Sequence, residues 1–330
     1  MAEVPGRGVA APRPGRSCPA DYGYGAAALR KVAPALQAET LYVAGGLYGN
    51  PQALEALLEL AATEPGARLV FNGDFNWFDV DTEDFRAINT AVLGHFATRG
   101  NVETELAQPG QDAGCGCGYP DWVGDEDVAR SNRIMERLRR TAAREPALQA
   151  RLGALPMYAV ALVGGERVAI VHGDADSLAG WGLSQESLAE EAGLDAARTG
   201  LAASTARVIA SSHTCLPVMQ SLRVAQGEVV LANNGAAGMP NFRGTRFGLA
   251  TRISVHAPGA AQRALHGLCV AGLHVHAVPI AYDHATWESR FLAQWPPGSD
   301  AHLSYYARIC DGPRYLQEQA LRVATCGALA

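Results

Sequence analysis

The sequence predicts an α/β fold in which a mixed sheet, or a sandwich of sheets, is flanked by helices. Three patterns carry that prediction. The first eighty residues alternate short β-branched or aromatic runs with helical periodicity, the second half is dominated by runs joined by tight turns, and several runs stop at a glycine beside a polar residue. The clearest of these is Arg68-Leu-Val-Phe-Asn-Gly-Asp74. A buried strand that ends this way delivers one side chain to the carboxyl edge of a sheet, where open α/β sheets bind ligands.

Thr40 to Ala44 reads as a strand entering Gly45-Gly46-Leu-Tyr-Gly-Asn50. Pro51 opens a helix at a position proline tolerates, with Leu54, Leu57 and Leu58 on its apolar face. The Arg68 strand closes a βαβ unit, for which a right-handed crossover is expected. Thr82 to Phe96 reads as a helix capped by Asp81 or Thr82, followed by a turn through Gly100, Asn101 and Glu103. Residues 106–123 are irregular and hold Gly114-Cys-Gly-Cys-Gly118, and Glu126 to Ala143 is an amphipathic helix burying Val128, Ile134, Met135 and Leu138. Met157 to Val163 and Arg167 to Val171 are strands joined by Gly164-Gly165, a hairpin signal. Further strands at Arg207 to Ser211, Glu228 to Ala232, near Gly248 to Val255 and near Leu268 to Ile280 precede an aromatic helical tail. The expected organisation is a flexible tail at 1–25, one domain at 26–281 with an insertion or cap at about 106–150, and a helical extension at 282–330 packed on that domain.

With 330 residues, 48% hydrophobic and 18% charged, the chain can bury a large core. A net charge of -6 and a pI near 5.9 argue against nucleic acid as a partner, since no basic face is available for phosphates. No run approaches the roughly 18 consecutive apolar residues of a membrane span, and Met1 to Arg16 lacks the apolar core of a secretion signal. A cytoplasmic protein without membrane partners is therefore expected, with no pattern that specifies an oligomeric state. Seven scattered cysteines without framework spacing read as reduced thiols.

Five runs end in polar clusters: Gly46 to Asn50, Gly73-Asp74, Gly100-Asn101, His172-Gly173 and His213 to Cys215. One carboxylate, one amide and two imidazoles from separate strand ends make an oxygen and nitrogen donor set for a divalent ion. Cys115, Cys117 and Cys215 offer a rival thiolate set. His274 and His276 share one face of a late strand and read as an exposed edge rather than as ligands.

The order and spacing of these clusters resemble the calcineurin-like metallophosphoesterases over roughly residues 40 to 255. That family carries Asp-x-His, Gly-Asp-x-x-Asp, Gly-Asn-His-Asp/Glu, His-Gly and Gly-His-x-His at strand ends. Asn233-Asn-Gly-Ala-Ala-Gly-Met-Pro-Asn241 is similar to its Asn-x-Gly-Ser-x-Gly-x-Pro segment. The resemblance implies a four-layer αββα sandwich of two mixed sheets with flanking helices, and metal-dependent hydrolysis of a small phosphorylated substrate. It implies that Asp74, Asn101, His172 and His213 hold a divalent ion such as Mn, Fe or Zn. At the positions that would hold a second ion stand Gly46, Tyr48 and Cys215, so one ion per chain is expected.

Two further departures concern catalysis. The family's catalytic histidine is Val102 here, and the second aspartate of Gly-Asp-x-x-Asp is Trp77. Glu103 is the candidate replacement donor, and Asp74, Asn101 and His172 complete the expected catalytic set. Tyr48, Asn50, Asp174 and Arg243, with Arg246 nearby, are the candidate substrate contacts. General acid catalysis contributes roughly 10²- to 10⁴-fold, so its loss leaves three readings: a phosphoesterase, a pseudoenzyme that binds a ligand or protein, and non-phosphoester chemistry at a metal-thiolate site.

Overall fold

The computed structural model describes residues 13–108 and 113–322. Its first half runs α1 (Ala26–Lys31), β1 (Leu36–Ala38), β2 (Thr40–Ala44), α2 (Pro51–Ala62), β3 (Arg68–Asn72), α3 (Thr82–Val92), β4 (Phe96–Thr98), α4 (Asn101–Ala107), α5 (Asp125–Ala142) and α6 (Pro146–Gly153). There follow β5 (Tyr158–Val163), β6 (Glu166–Val171), α7 (Glu191–Ser204), β7 (Val208–Ser211), β8 (Pro217–Val224), β9 (Gly227–Asn234) and β10 (Gly248–Ser254). The chain closes with β11 (His266–Val270), β12 (Leu273–Ile280), α8 (His284–Gln294), α9 (Asp300–Asp311) and β13 (Leu321–Arg322).

The strands form two mixed sheets, in the orders β11-β12-β10-β2-β3-β4 and β1-β5-β6-β7-β9-β8-β13. Side-chain alternation along each strand explains why they stack. Leu41 and Val43 of β2 meet Val168 and Ile170 of β6 and Val230 of β9 between the sheets, whereas Tyr42 and Ala44 face the helices. On the other side Ala169, Val171, Ile209 and Leu231 pack against α1 and α7. Both faces of each central strand are covered, so the runs are apolar throughout, and the result is a four-layer αββα sandwich.

Several boundaries differ from expectation for local reasons. The helix begun at Thr82 stops at Val92, and Phe96–Thr98 pairs with β3 as an edge strand. The run to Ile280 is a hairpin rather than one strand, because Ala271 and Gly272 both take positive φ, 48° and 80°. Residues 1–12 of the expected flexible tail lie outside the described residues. Its remainder is folded: Tyr22 is buried with its hydroxyl donating to Glu105 Oε1 at 2.6 Å, and the Tyr24 and Gly25 N–H groups both reach Asp176 O. Buried aromatic surface holds residues that composition alone marks as loop. Among the described residues no helix is long and apolar enough to cross a membrane.

Candidate metal centre

Four loops converge at the carboxyl edge of the two sheets. Asp74 follows β3, Asn101 opens α4 just beyond β4, His172 follows β6 and His213 follows β7. Asn72 Nδ2 donates to Val171 O at 2.7 Å and Asn234 Nδ2 to Gly45 O at 3.0 Å, so two buried amides stitch the sheets together beside the site. Gly73 and Gly100 let the loops cross. A Cβ on Gly73 would lie 2.6 Å from His172 Nδ1, and one on Gly100 would lie 2.3 Å from Asp74 Oδ1. Asp74 itself is held at φ 51°, a conformation uncommon outside glycine that the surrounding packing sustains.

His172 Nε2 lies 3.2 Å from each of Asp74 Oδ2, Asn101 Oδ1 and His213 Nδ1. The hydrogen bonds around these groups assign their protons. His172 Nδ1 donates to Asn72 O at 2.9 Å, Asn101 Nδ2 to Cys115 O at 2.9 Å, and His213 Nε2 to Cys117 O at 3.0 Å. With both imidazoles neutral, four lone-pair atoms therefore face one another without a proton between them. That arrangement is repulsive unless positive charge sits among them, as a proton on His172 Nε2 shared with Asp74 or as a metal cation in its place, and separations of 3.2 Å suit ligands about 2.0–2.2 Å from a common ion. Among the described residues, Asp74, His172 and His213 are the one group of charged or thiol ligands whose donor atoms lie within 4.8 Å of one another.

The protonation preferences follow from burial and mutual charge. Burial drives the His213 imidazolium down, and nearby His172 adds to it, giving about 4. For Asp74, burial favours the acid, but His172 and His213 outweigh it and hold the carboxyl below its usual range. Burial opposes charging of His172 too, and there the Asp74 carboxylate prevails and raises it.

The loop Gly114-Cys-Gly-Cys-Gly118 works through its carbonyls. Gly114, Gly116 and Gly118 all take positive φ, and the two intervening carbonyl groups orient Asn101 and His213. Trp181 Nε1 also donates to Cys117 O, at 3.0 Å. Cys115 and Cys117 are buried, and the ligand group contains no cysteine, so among the described residues the three thiols that offered a rival set do not share a ligand cluster. His274 and His276 are half-buried on β12 and join no ligand group among the described residues.

At the other end of the site, the Tyr48 ring lies over Gly46, where a Cβ would come within 2.9 Å of it. Its hydroxyl meets Cys215 Sγ at 2.9 Å. Tyr48 and Cys215 both adopt left-handed backbone, φ 56° and 63°, which turns their side chains toward each other. Burial, reinforced by Cys215 and Asp74, holds the phenol well above its ordinary range, so it keeps its proton.

A cavity of about 190 Å³ opens on Asp74, Asn101 and His213, walled by Tyr48, Trp77, Val102, Tyr119, Trp181, Tyr305 and Arg308. Four expected roles do not survive the geometry. Glu103 is buried outside the cavity lining, and its carboxylate accepts from the backbone N–H groups of Asp74, Phe75, Asn76 and Gly100 at 2.7–3.2 Å, so it braces the loops and does not face a leaving group. Asn50 caps α2, accepting from Ala53 N and donating to Gly238 O, both at 2.9 Å. Asp174 accepts from Asp176 N, Ser177 N and Gly182 N within its own loop. Arg243 is exposed and absent from the cavity wall, as is Arg246, whose Nε donates to Cys310 O. For Glu103, Asn50 and Asp174 backbone partners consume the group that sequence reading had left free, whereas Arg243 simply lies away from the cavity.

Arg308 and Tyr305 were missed because they arrive from α9, far along the chain. Their only sequence signal is spacing: Ala301, Tyr305 and Arg308 recur at i, i+4 and i+7, which puts an arginine on the inward stripe of an amphipathic helix.

No protein-family model and no curated protein matches the sequence. Solved structures share its architecture. A hypothetical protein from Pyrococcus horikoshii OT3 superposes with a TM-score of 0.55 at 15% identity, covering 83% of this chain and 99% of that one. A metallophosphoesterase from Sphaerobacter thermophilus gives 0.52 at 16% identity, covering 84% and 100%. The chain shares the two-sheet, helix-flanked αββα sandwich of these structures, and at these identities the likeness is one of fold.

Proposed function

We propose that the protein is a phosphoester hydrolase dependent on one divalent ion, held by Asp74, Asn101, His172 and His213. The observation that carries this reading is the convergence of Asp74 Oδ2, Asn101 Oδ1 and His213 Nδ1 on His172 Nε2, with the other nitrogens of His172, Asn101 and His213 each turned to a backbone carbonyl. A divalent ion supplies Lewis acidity to a bound phosphoester. The single-ion part rests on Tyr48 and Cys215, whose hydrogen bond and ring fill the space beside Gly46 with groups that hold their protons.

The chain's own residues then divide the remaining work. Gly73 and Gly100 bring the ligand loops into contact, and the Glu103 carboxylate ties them together through four backbone N–H groups. Tyr48, protonated, on the cavity wall and near enough to Asp74 to feel its charge, is a group able to donate a hydrogen bond to a leaving oxygen, alongside the Tyr119 and Tyr305 phenols of the same wall, since Val102 has nothing to give and Glu103 is occupied. This replacement makes a phenol, with its high pKa, do what an imidazole does elsewhere, and slow turnover is expected.

Elemental analysis of protein equilibrated with Mn²⁺ should give one ion per chain, and His172→Ala should abolish both the ion and hydrolysis of phenyl phosphate. Two ions at full occupancy would remove the single-ion claim. Hydrolysis that survives both chelation and His172→Ala would remove the metal-dependent reading. A protein that binds the ion and the ester without turnover would instead be the binding module that the missing acid favours.

A further inference from the structure

Among the described residues Arg308 is the one arginine or lysine on the cavity wall, and its environment is unusual for an arginine lying half-buried. Its Nε donates to Pro240 O at 3.0 Å and its Nη2 to Cys215 O at 2.7 Å, which pins the guanidinium plane. Among the described residues it pairs with no carboxylate, and Nη1 has no protein acceptor. An immobilised guanidinium with an open donor edge is suited to an oxyanion. The rest of the wall has the opposite character. Trp77 and Tyr305 meet edge to face at a ring separation of 6.5 Å on one side, and Tyr119 and Trp181 lie 5.9 Å apart on another. Trp181 also stands edge-on to the ligand His213 at 5.5 Å, which places an aromatic wall beside the metal site.

Size limits what such a cavity takes. A cavity of about 150 Å³ holds one benzene ring, and this one measures about 190 Å³. One ring with one anionic group is matched to that volume.

Resting on the hydrolase reading above, we propose that this site takes single-ring aryl phosphate monoesters: Arg308 receives the phosphoryl oxygens and the aromatic walls hold the ring. Burying a ring among four others contributes through apolar area, whereas Arg308 contributes equally to any phosphate-like anion. The two parts are therefore separable by ligand.

The experiment uses non-hydrolysable probes, so that it reads recognition independently of turnover. Phenylphosphonate and methylphosphonate are titrated into the Mn²⁺-equilibrated full chain, with quenching of the cavity tryptophans as signal. Phenylphosphonate should bind about thirty-fold tighter, the ratio expected for burying one ring. Arg308→Gln should weaken both probes about ten-fold and leave the ratio unchanged, while Tyr305→Leu should shrink the ratio. Because Arg308 also ties two carbonyls, Arg308→Lys is run alongside with a melting curve. It keeps the charge but loses the fork, and weakening without a change in Tm assigns the effect to the anion. Equal binding of the two phosphonates would overturn the aryl specificity, and unchanged affinity in both Arg308 variants would overturn the anchor. Absent hydrolysis of every ester, with the phosphonate preference intact, would count against the hydrolase reading alone.

Discussion

Replacing Asp79 with asparagine should make the protein more stable at neutral pH than in mild acid, relative to the parent. Asp79 sits in the loop after Asp74, fully buried, with Oδ1 accepting from Trp77 N at 3.0 Å and Oδ2 without a partner. Burial, with smaller contributions from Glu103 and Asp84, overrides that hydrogen bond and pushes the carboxyl from 3.8 up to about 7. A carboxyl raised in the folded state keeps its stabilising contribution below the unfolded value and loses it as pH climbs to the folded one. Over those roughly three pH units, at 1.36 kcal/mol each, the loss totals about 4 kcal/mol, of which about 2 kcal/mol falls between pH 5 and pH 7 and about 3 kcal/mol by pH 8. Asparagine has the shape of the protonated acid and no such titration. Urea unfolding of both proteins at pH 5 and pH 8 should show the advantage of Asp79→Asn widening by about 3 kcal/mol at the higher pH. An advantage of the same size at both pH values would refute the reasoning, because it would mean Asp79 titrates alike in folded and unfolded chains.

Two other perturbations test how the centre is assembled. Gly100→Ala puts a methyl 2.3 Å from Asp74 Oδ1 and 2.8 Å from His172 Cε1. Since Gly100 has an ordinary negative φ of -96°, the cost is steric alone, about 1–3 kcal/mol by melting curve, with weaker Mn²⁺ binding by calorimetry. Glu103→Gln replaces one acceptor oxygen with an NH₂ facing backbone donors, and should cost about 2 kcal/mol in urea unfolding while loosening the ion. Retention of full ion affinity in both variants would show that the loops are positioned by something other than these contacts.

The fold was legible because the two sheets bury strands on both faces, and such strands announce themselves as unbroken apolar runs. Val168 to Val171 and Val229 to Ala232 are examples. Gly164 and Gly165 marked the hairpin correctly because both adopt positive φ, 57° and 89°, as a two-residue turn of that hand requires. Edge strand β4 and the hairpin break at Ala271 were not legible, since short edges and an alanine at φ 48° are decided by pairing rather than by residue preference.

Sequence by itself determined the four converging groups. Asp74, Asn101, His172 and His213 each follow or open an element beside a glycine or a buried run, and strand ends of this architecture point the same way. Tertiary structure alone decided which polar groups remain free. Glu103, Asn50 and Asp174 looked available, but each is spent on backbone N–H groups within a few residues or across a loop crossing. It also decided that the two cysteines of the glycine-rich loop act through their carbonyls, and that Arg308 arrives from a helix more than two hundred residues downstream of Asp74. The physical reason is the same throughout: a strand end declares its own direction, whereas a hydrogen bond or a cavity wall needs two partners, and the chain names only one at a time.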